Sequence, residues 1–147
     1  MTDVTTGAPG TPWHLWVIGG VTLLWNLMGV VDFAMTQIQY EPYMSQFTEA
    51  QLEYFYGLPA WAIVFWAFGV FGAFIGSGLL LLRNKLAVHA FALSLLGMIV
   101  TTVYGYGLAD GLKVSGTGAL IFSIVIAVIA IFLLVYARAM ASRSVLR

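Results

Sequence analysis

Four stretches of this chain carry a single formally charged side chain between them, Asp32, and each is long enough to cross a bilayer. They are residues 13–35, 59–82, 86–108 and 117–137. A hydrocarbon core about 30 Å thick takes roughly 20 apolar residues at the helical rise of about 1.5 Å each. Lipid offers the backbone no hydrogen-bond partners, so each stretch must be a helix or a strand of a closed barrel. Barrel strands alternate apolar and polar residues, and these runs do not. Composition agrees: 61% of residues are hydrophobic and 8% charged, against about 45–50% and 25% in soluble domains. The expected fold is an all-α membrane protein, one four-helix antiparallel transmembrane bundle spanning the 147 residues.

Orientation follows from the basic residues, which favour the cytoplasmic side of short loops. Arg83 and Lys85 lie in the turn between the second and third runs, and Arg138, Arg143 and Arg147 follow the fourth. Lys113 alone lies on the other side, with Glu41, Glu49, Glu53 and Asp110. This predicts cytoplasmic termini, with residues 36–58 and 109–116 outside. The first run follows a stretch without Lys or Arg and ends without a small-residue cleavage pattern, so it reads as a retained helix and not a signal peptide.

The first outer loop holds helix signals of its own. Thr48 is an N-cap candidate with Gln51 at the capping-box position, and Phe47 and Leu52 form a hydrophobic staple. Gly57 and Pro59 supply the stop. A short helix over residues 49–56 is predicted, lying on the outer membrane surface.

Membrane helices pack where small residues let backbones approach. The first run offers Gly19, Thr22, Asn26 and Gly29, and the second Gly69, Gly72, Ala73 and Gly76. The third offers Ala87, Ala90, Ser94, Gly97, Thr101 and Tyr104, and the fourth Ala119, Ser123, Ala127 and Ala130. One stripe per helix suits a compact bundle. The Gly72/Gly76 pair also matches a dimerisation motif, which is common in membrane helices for other reasons.

Ionisable and polar groups inside a membrane are costly, which makes them the first candidates for function. Asp32 is read either as a proton- or cation-responsive carboxylate or as a group satisfied by a tyrosine near the outer interface. Asn26, near the midplane, suits a bond to a neighbouring helix. Tyr104 and Thr101 fall at about the depth of Asp32, so Asn26, Asp32, Thr101 and Tyr104 form a candidate polar cluster in which Tyr104 donates to the carboxylate. His89 is a candidate haem or pigment ligand that lacks a second ligand, and His14 is a weaker one. Tyr40, Tyr43, Tyr54, Tyr56, Trp61, Tyr104 and Tyr106 read as an outer aromatic belt, with Trp13 and Trp16 as the inner one; stacking on sugar rings is the alternative use of the outer set. Cysteine is absent. That excludes disulfides, thiolate metal ligands and a cysteine nucleophile. No catalytic triad, metal-ligand spacing, phosphate loop or carboxylate pair is present, so no cofactor and no enzymatic activity are expected. Zero net charge without charge blocks argues against a nucleic-acid partner.

The stretches WNLMGVVDFAMTQ, LPAWAIVFWAFGVFGAFIGSGLLLLR and AVHAFALSLLGMIVTTVY resemble small four-span inner-membrane proteins of alphaproteobacteria, notably sphingomonads. The likeness runs from about Trp25 to the final Val145, Leu146 and Arg147. It implies a bacterial inner membrane and a periplasmic outer loop. Members of that group are largely uncharacterised, some carrying an automatic label of sugar transporter, and no site residues come with the resemblance. On sequence alone the leading expectation is an accessory or assembly subunit packing against lipid and larger membrane partners, or against itself. A small-solute transporter, acting as an oligomer and with sugars as one candidate solute, is the alternative, and a pigment- or haem-associated subunit is the third.

Overall fold

The computed structural model describes residues 10–108 and 111–147. The expected outer loop 109–116 therefore falls partly outside the described residues, as do Asp110 and the start of the chain. Helix α1 covers Trp13–Gln37, α2 Glu41–Met44, α3 Glu49–Tyr56 and α4 Ala60–Leu81. Helix α5 covers Leu86–Val103 and runs on into a π-helical turn at Tyr104–Leu108, and α6 covers Gly111–Ser142. No strand occurs among the described residues. Among the described residues, four helical stretches are long and apolar enough to cross a membrane: Trp13–Gln37, Ala60–Leu81, Leu86–Gly107 and Gly116–Ser142.

Local chemistry explains where the helices begin and end. Pro12 and Pro59 stand at the N-caps of α1 and α4 in extended conformation, where a missing N–H costs nothing. Helix α3 has a complete capping box. The Gln51 amide N–H donates to Thr48 Oγ1 at 3.2 Å, and the Thr48 N–H donates to Gln51 Oε1 at 3.0 Å. Helices α1, α4 and α6 share one ending. Gln39, Arg83 and Ser144 adopt left-handed backbone (φ 54°, 58° and 60°). The amides of Tyr40, Asn84 and Val145 then reach back to the carbonyls of Met35, Leu79 and Met140. These are Schellman motifs without glycine, and each satisfies carbonyls that the helix end would orphan. Inside α6, Gly116 breaks the helix at φ 84°, so the apolar span starts there and continues to Ser142, past the expected end at 137.

Small residues set the packing. Gly97 of α5 lies so close to the Phe65 carbonyl and the Gly69 amide of α4 that no side chain fits between them. Gly72 faces Ala90 and Ser94, and Gly76 faces the Phe91 ring. Ser94 Oγ donates to the Gly69 carbonyl at 2.6 Å. Gly72 and Gly76 are thereby buried inside the chain, against α5. On the other side of α4, Gly19 of α1 abuts Leu81 and Gly29 meets Val70.

The two ends of the bundle differ. Around the turn of Arg83, Asn84 and Lys85 the interior is solid: Leu15, Leu80, Ala87, Phe91, Leu133, Ala137, Met140, Val145 and Leu146 form one buried cluster drawn from α1, α4, α5, α6 and the segment after α6. The other half is not filled.

Candidate functional site

A cavity of about 470 Å³ occupies the unfilled half. Every long helix contributes to its wall: Asn26, Gly29 and Asp32 from α1, Trp66 and Ala73 from α4, Ser94 and Thr101 from α5, and Phe122 and Ala130 from α6. Its base is formed by Phe91 and Leu133, which belong to the packed cluster. At the opposite end stand Asp32 and, from outside the spans, Tyr43. The size falls in the range of about 300–1,000 Å³ usual for small-molecule sites.

Asp32 is the only formally charged residue on the described wall. Its carboxylate accepts the Tyr43 hydroxyl hydrogen. The Gln39 reversal explains the contact, because it turns the chain back at the end of α1 and starts α2 above the bundle. Burial pushes the Tyr43 hydroxyl up from its ordinary value of 10.0 to about 12, with the Asp32 hydrogen bond and charge adding to the same effect.

The expected donor to Asp32 was Tyr104, and the structure places it elsewhere. Tyr104 opens the π-helical turn and packs edge-on against Trp61, with ring centroids 5.1 Å apart. It does not line the cavity. Thr101 does line it, but its hydroxyl donates back to the Gly97 and Met98 carbonyls of its own helix at 3.0 and 3.1 Å. The predicted cluster therefore divides. Asp32 pairs with a loop tyrosine that the sequence marks only as belt, and Thr101 stands on the cavity wall with its proton engaged.

Asn26 is buried and bridges α1 to α4. Its amide donates to the Ala73 carbonyl at 3.1 Å and to Ser77 Oγ at 2.9 Å. Ser77 in turn donates to Thr22 Oγ1 at 3.2 Å, and Thr22 to the Ile18 carbonyl at 2.6 Å. Ser77 lies outside the small-residue stripe read from the sequence, yet it is fully buried. Its spacing from Ala73, one turn along α4, was the available signal.

The remaining candidates lie away from the cavity. His89 is exposed on α5 and absent from the wall. His14 Nδ1 sits 2.5 Å from Tyr136 Oη, joining α1 to α6. Among the tyrosines of the expected belt, Tyr54 presses its hydroxyl against Gly105, and Tyr106 Oη lies 3.1 Å from Ser123 Oγ. Burial raises the Tyr54 hydroxyl above its ordinary value, helped by Tyr104 and Tyr106. These groups tie α3 and the π-helical turn to the bundle.

The aromatic residues of the wall were not legible as a set. Trp25 of α1 meets Phe122 of α6 with centroids 6.0 Å apart, and Trp66 packs edge-on to Phe33 at 4.8 Å. Chemically the site is an apolar chamber with aromatic sides and one carboxylate at its mouth. Comparison with protein-family models, curated proteins and solved structures finds no match to this chain.

Proposed function

We propose that this chain binds a small solute inside its helix bundle and takes part in moving it across a membrane. The observation that carries this reading is the cavity itself, with Asp32 at one end and walls from four membrane-length helices. Transporters hold substrates between helices, within the bilayer. An accessory or assembly role, packing on other membrane proteins or on a second copy, becomes the second reading. It rested on spans that offered too few polar groups for a binding site, and the cavity brings several of them together. A pigment or haem role is weakest, since His89 looks away from the enclosed space. The apolar and aromatic residues that surround Asp32 on the wall suit the binding of a solute.

The same proposal places the protein in a bacterial inner membrane, with antiparallel helices and both ends cytoplasmic. The resemblance to alphaproteobacterial four-span proteins supports the membrane. The basic residues Arg83, Lys85, Arg138, Arg143 and Arg147 support the orientation. The pairing of Gly69 with Met98 and of Gly76 with Phe91, one number rising as the other falls, supports antiparallel neighbours.

One experiment addresses site and orientation together. The natural chain lacks cysteine, so single-cysteine variants report without background. Thr101→Cys and Thr102→Cys, half-buried on the wall, are expected to react with a small water-soluble methanethiosulfonate reagent, while Leu93→Cys, facing away, stays unreactive. Gln46→Cys should react in intact spheroplasts, with Asn84→Cys and Ser144→Cys reacting only after lysis. Inert Thr101 and Thr102 positions would return the accessory role to first place, and the reverse sidedness would invert the topology.

A further inference from the structure

The chemistry of the wall restricts what kind of solute fits. A carboxylate among apolar groups needs compensation by hydrogen bonds or an opposite charge. Among the described residues, no Lys, Arg or His lines the cavity, and the one hydrogen bond to the Asp32 side chain is the Tyr43 hydroxyl. Two carboxylate oxygens offer about four acceptor positions, so a single neutral donor leaves most of that capacity open.

The other polar groups on the wall are poor hosts for a polyhydroxylated ligand. The Ser94 hydroxyl donates to Gly69, that of Thr101 to Gly97 and Met98, and the Asn26 amide to Ala73 and Ser77. With these hydrogens engaged, Ser94, Thr101 and Asn26 can accept from a polyhydroxylated ligand but not donate to it, whereas a cationic centre asks the wall for no donor at all. The walls favour something else. Trp25, Trp66, Phe91 and Phe122, one from each long helix, line the cavity, and aromatic ring faces attract cations, most strongly where water is excluded.

Resting on the reading that the cavity holds a solute, we propose that this solute is an organic cation: an ammonium centre bearing apolar or aromatic groups. Its positive centre takes the place of the Tyr43 hydroxyl against Asp32, and its apolar part lies between the tryptophans. Tyr43 is thus a placeholder at the mouth, supplying one hydrogen bond that the positive centre of the solute replaces. Asp32 supplies the selectivity for charge, and the aromatic wall supplies affinity without demanding hydrogen bonds.

The test uses the full chain in lipid nanodiscs, with binding to empty discs subtracted. Benzyltrimethylammonium is compared with neopentylbenzene, its uncharged carbon analogue of the same shape. The expected result is saturable binding of the cation, weaker binding of the analogue, and a loss of about tenfold or more in cation affinity in Asp32→Asn. Tyr43→Phe should bind the cation more tightly, because the competing donor is gone. If the analogue binds as well as the cation, or Asp32→Asn leaves cation affinity unchanged, the cation assignment fails while the solute-binding reading survives. If neither compound shows saturable binding, both fall. The comparison of the two compounds on the natural chain needs no variant, so a misfolded Asp32→Asn protein would not spare the proposal.

Discussion

Tyr43, on the short helix that follows α1, donates its hydroxyl hydrogen to the carboxylate of Asp32, eleven residues earlier in the chain. The contact joins the loop between α1 and α4 to the mouth of the cavity, where Tyr43 is part of the wall. It also gives Tyr43 a titration distinct from that of an ordinary surface tyrosine.

With its hydroxyl raised to about 12, Tyr43 keeps its proton in the folded protein at pH values where the unfolded chain has lost it. The sign follows from proton linkage: the contribution to stability is intact below about pH 10 and is lost as pH climbs towards 12. The difference in absorbance near 295 nm between the natural protein and Tyr43→Phe should titrate as one late tyrosine. Asp32→Asn removes the charge and weakens the hydrogen bond, and it should move that midpoint down towards 10. A difference titration centred near 10 in the natural protein would show that the contact does not form in solution.

Asn26 tests a different kind of polar contact, one that is structural. Bonds between membrane helices are worth on average about 0.6 kcal/mol and up to about 1.7. Asn26→Leu removes two of them at nearly constant volume, and it should lower stability by about 1–2 kcal/mol in an unfolding measurement in bicelles. Ser77→Ala should cost less, because the Asn26 amide still reaches the Ala73 carbonyl. Equal stability of Asn26→Leu and the natural protein would mean that packing alone holds α1 to α4.

Glycine at position 97 is required by closeness and not by backbone conformation. A Cβ there would stand 2.8 Å from the Gly69 amide nitrogen and closer still to the Phe65 carbonyl, and backbone atoms cannot step aside as a flexible side chain does. Gly97→Ala should destabilise by about 1–3 kcal/mol, the usual cost of overpacking. Gly78, with nothing within 4 Å of its added Cβ, is the control: Gly78→Ala should be neutral or mildly stabilising through helix propensity. Matching thermal midpoints for the two variants would show that α4 and α5 lie farther apart than described.

These cases show which parts of the molecule can be read from residues alone. The membrane-length helices follow from length and hydropathy, and the bounds of α3 from a cap and a stop within one short stretch. The glycines that meet α5 follow from spacing, since a stripe of small residues has one efficient use in lipid. The cavity is of another kind. Its volume is what remains after Trp66, Phe91, Phe122 and Leu133 from three helices have been packed, and no single stretch records that remainder. Asp32 stood out because one carboxylate in four apolar runs is conspicuous. Its partner did not, because Tyr104 and Tyr43 are equally good donors, and the left-handed turn at Gln39 and the packing of Tyr104 on Trp61 decide between them.

The segment after α6 gives the last prediction. Ser144 ends the helix in left-handed conformation, and the chain then folds against the turn between α4 and α5. The Arg147 amide donates to the Arg83 carbonyl at 2.7 Å, and the Lys85 amide to the Arg147 carbonyl at 3.0 Å. Arg83 adds a bond from Nε to the Val145 carbonyl at 3.2 Å, which helps to offset the left-handed backbone of a non-glycine residue, roughly 1–2 kcal/mol. These bonds hold Leu146 at 0% exposure in the cluster with Leu15, Leu80 and Met140, so one side chain ties the segment to several helices at once. Leu146→Ala leaves a hole at the solid end of the bundle and should cost about 2–5 kcal/mol. Leu82→Ala, at a side chain 77% exposed, should change stability by much less. Amide exchange supplies the second reading: the Lys85 N–H should be protected in the natural protein and exposed in Leu146→Ala. Fast exchange at Lys85 in the natural protein, or full stability in Leu146→Ala, would mean that the segment is not docked on the turn.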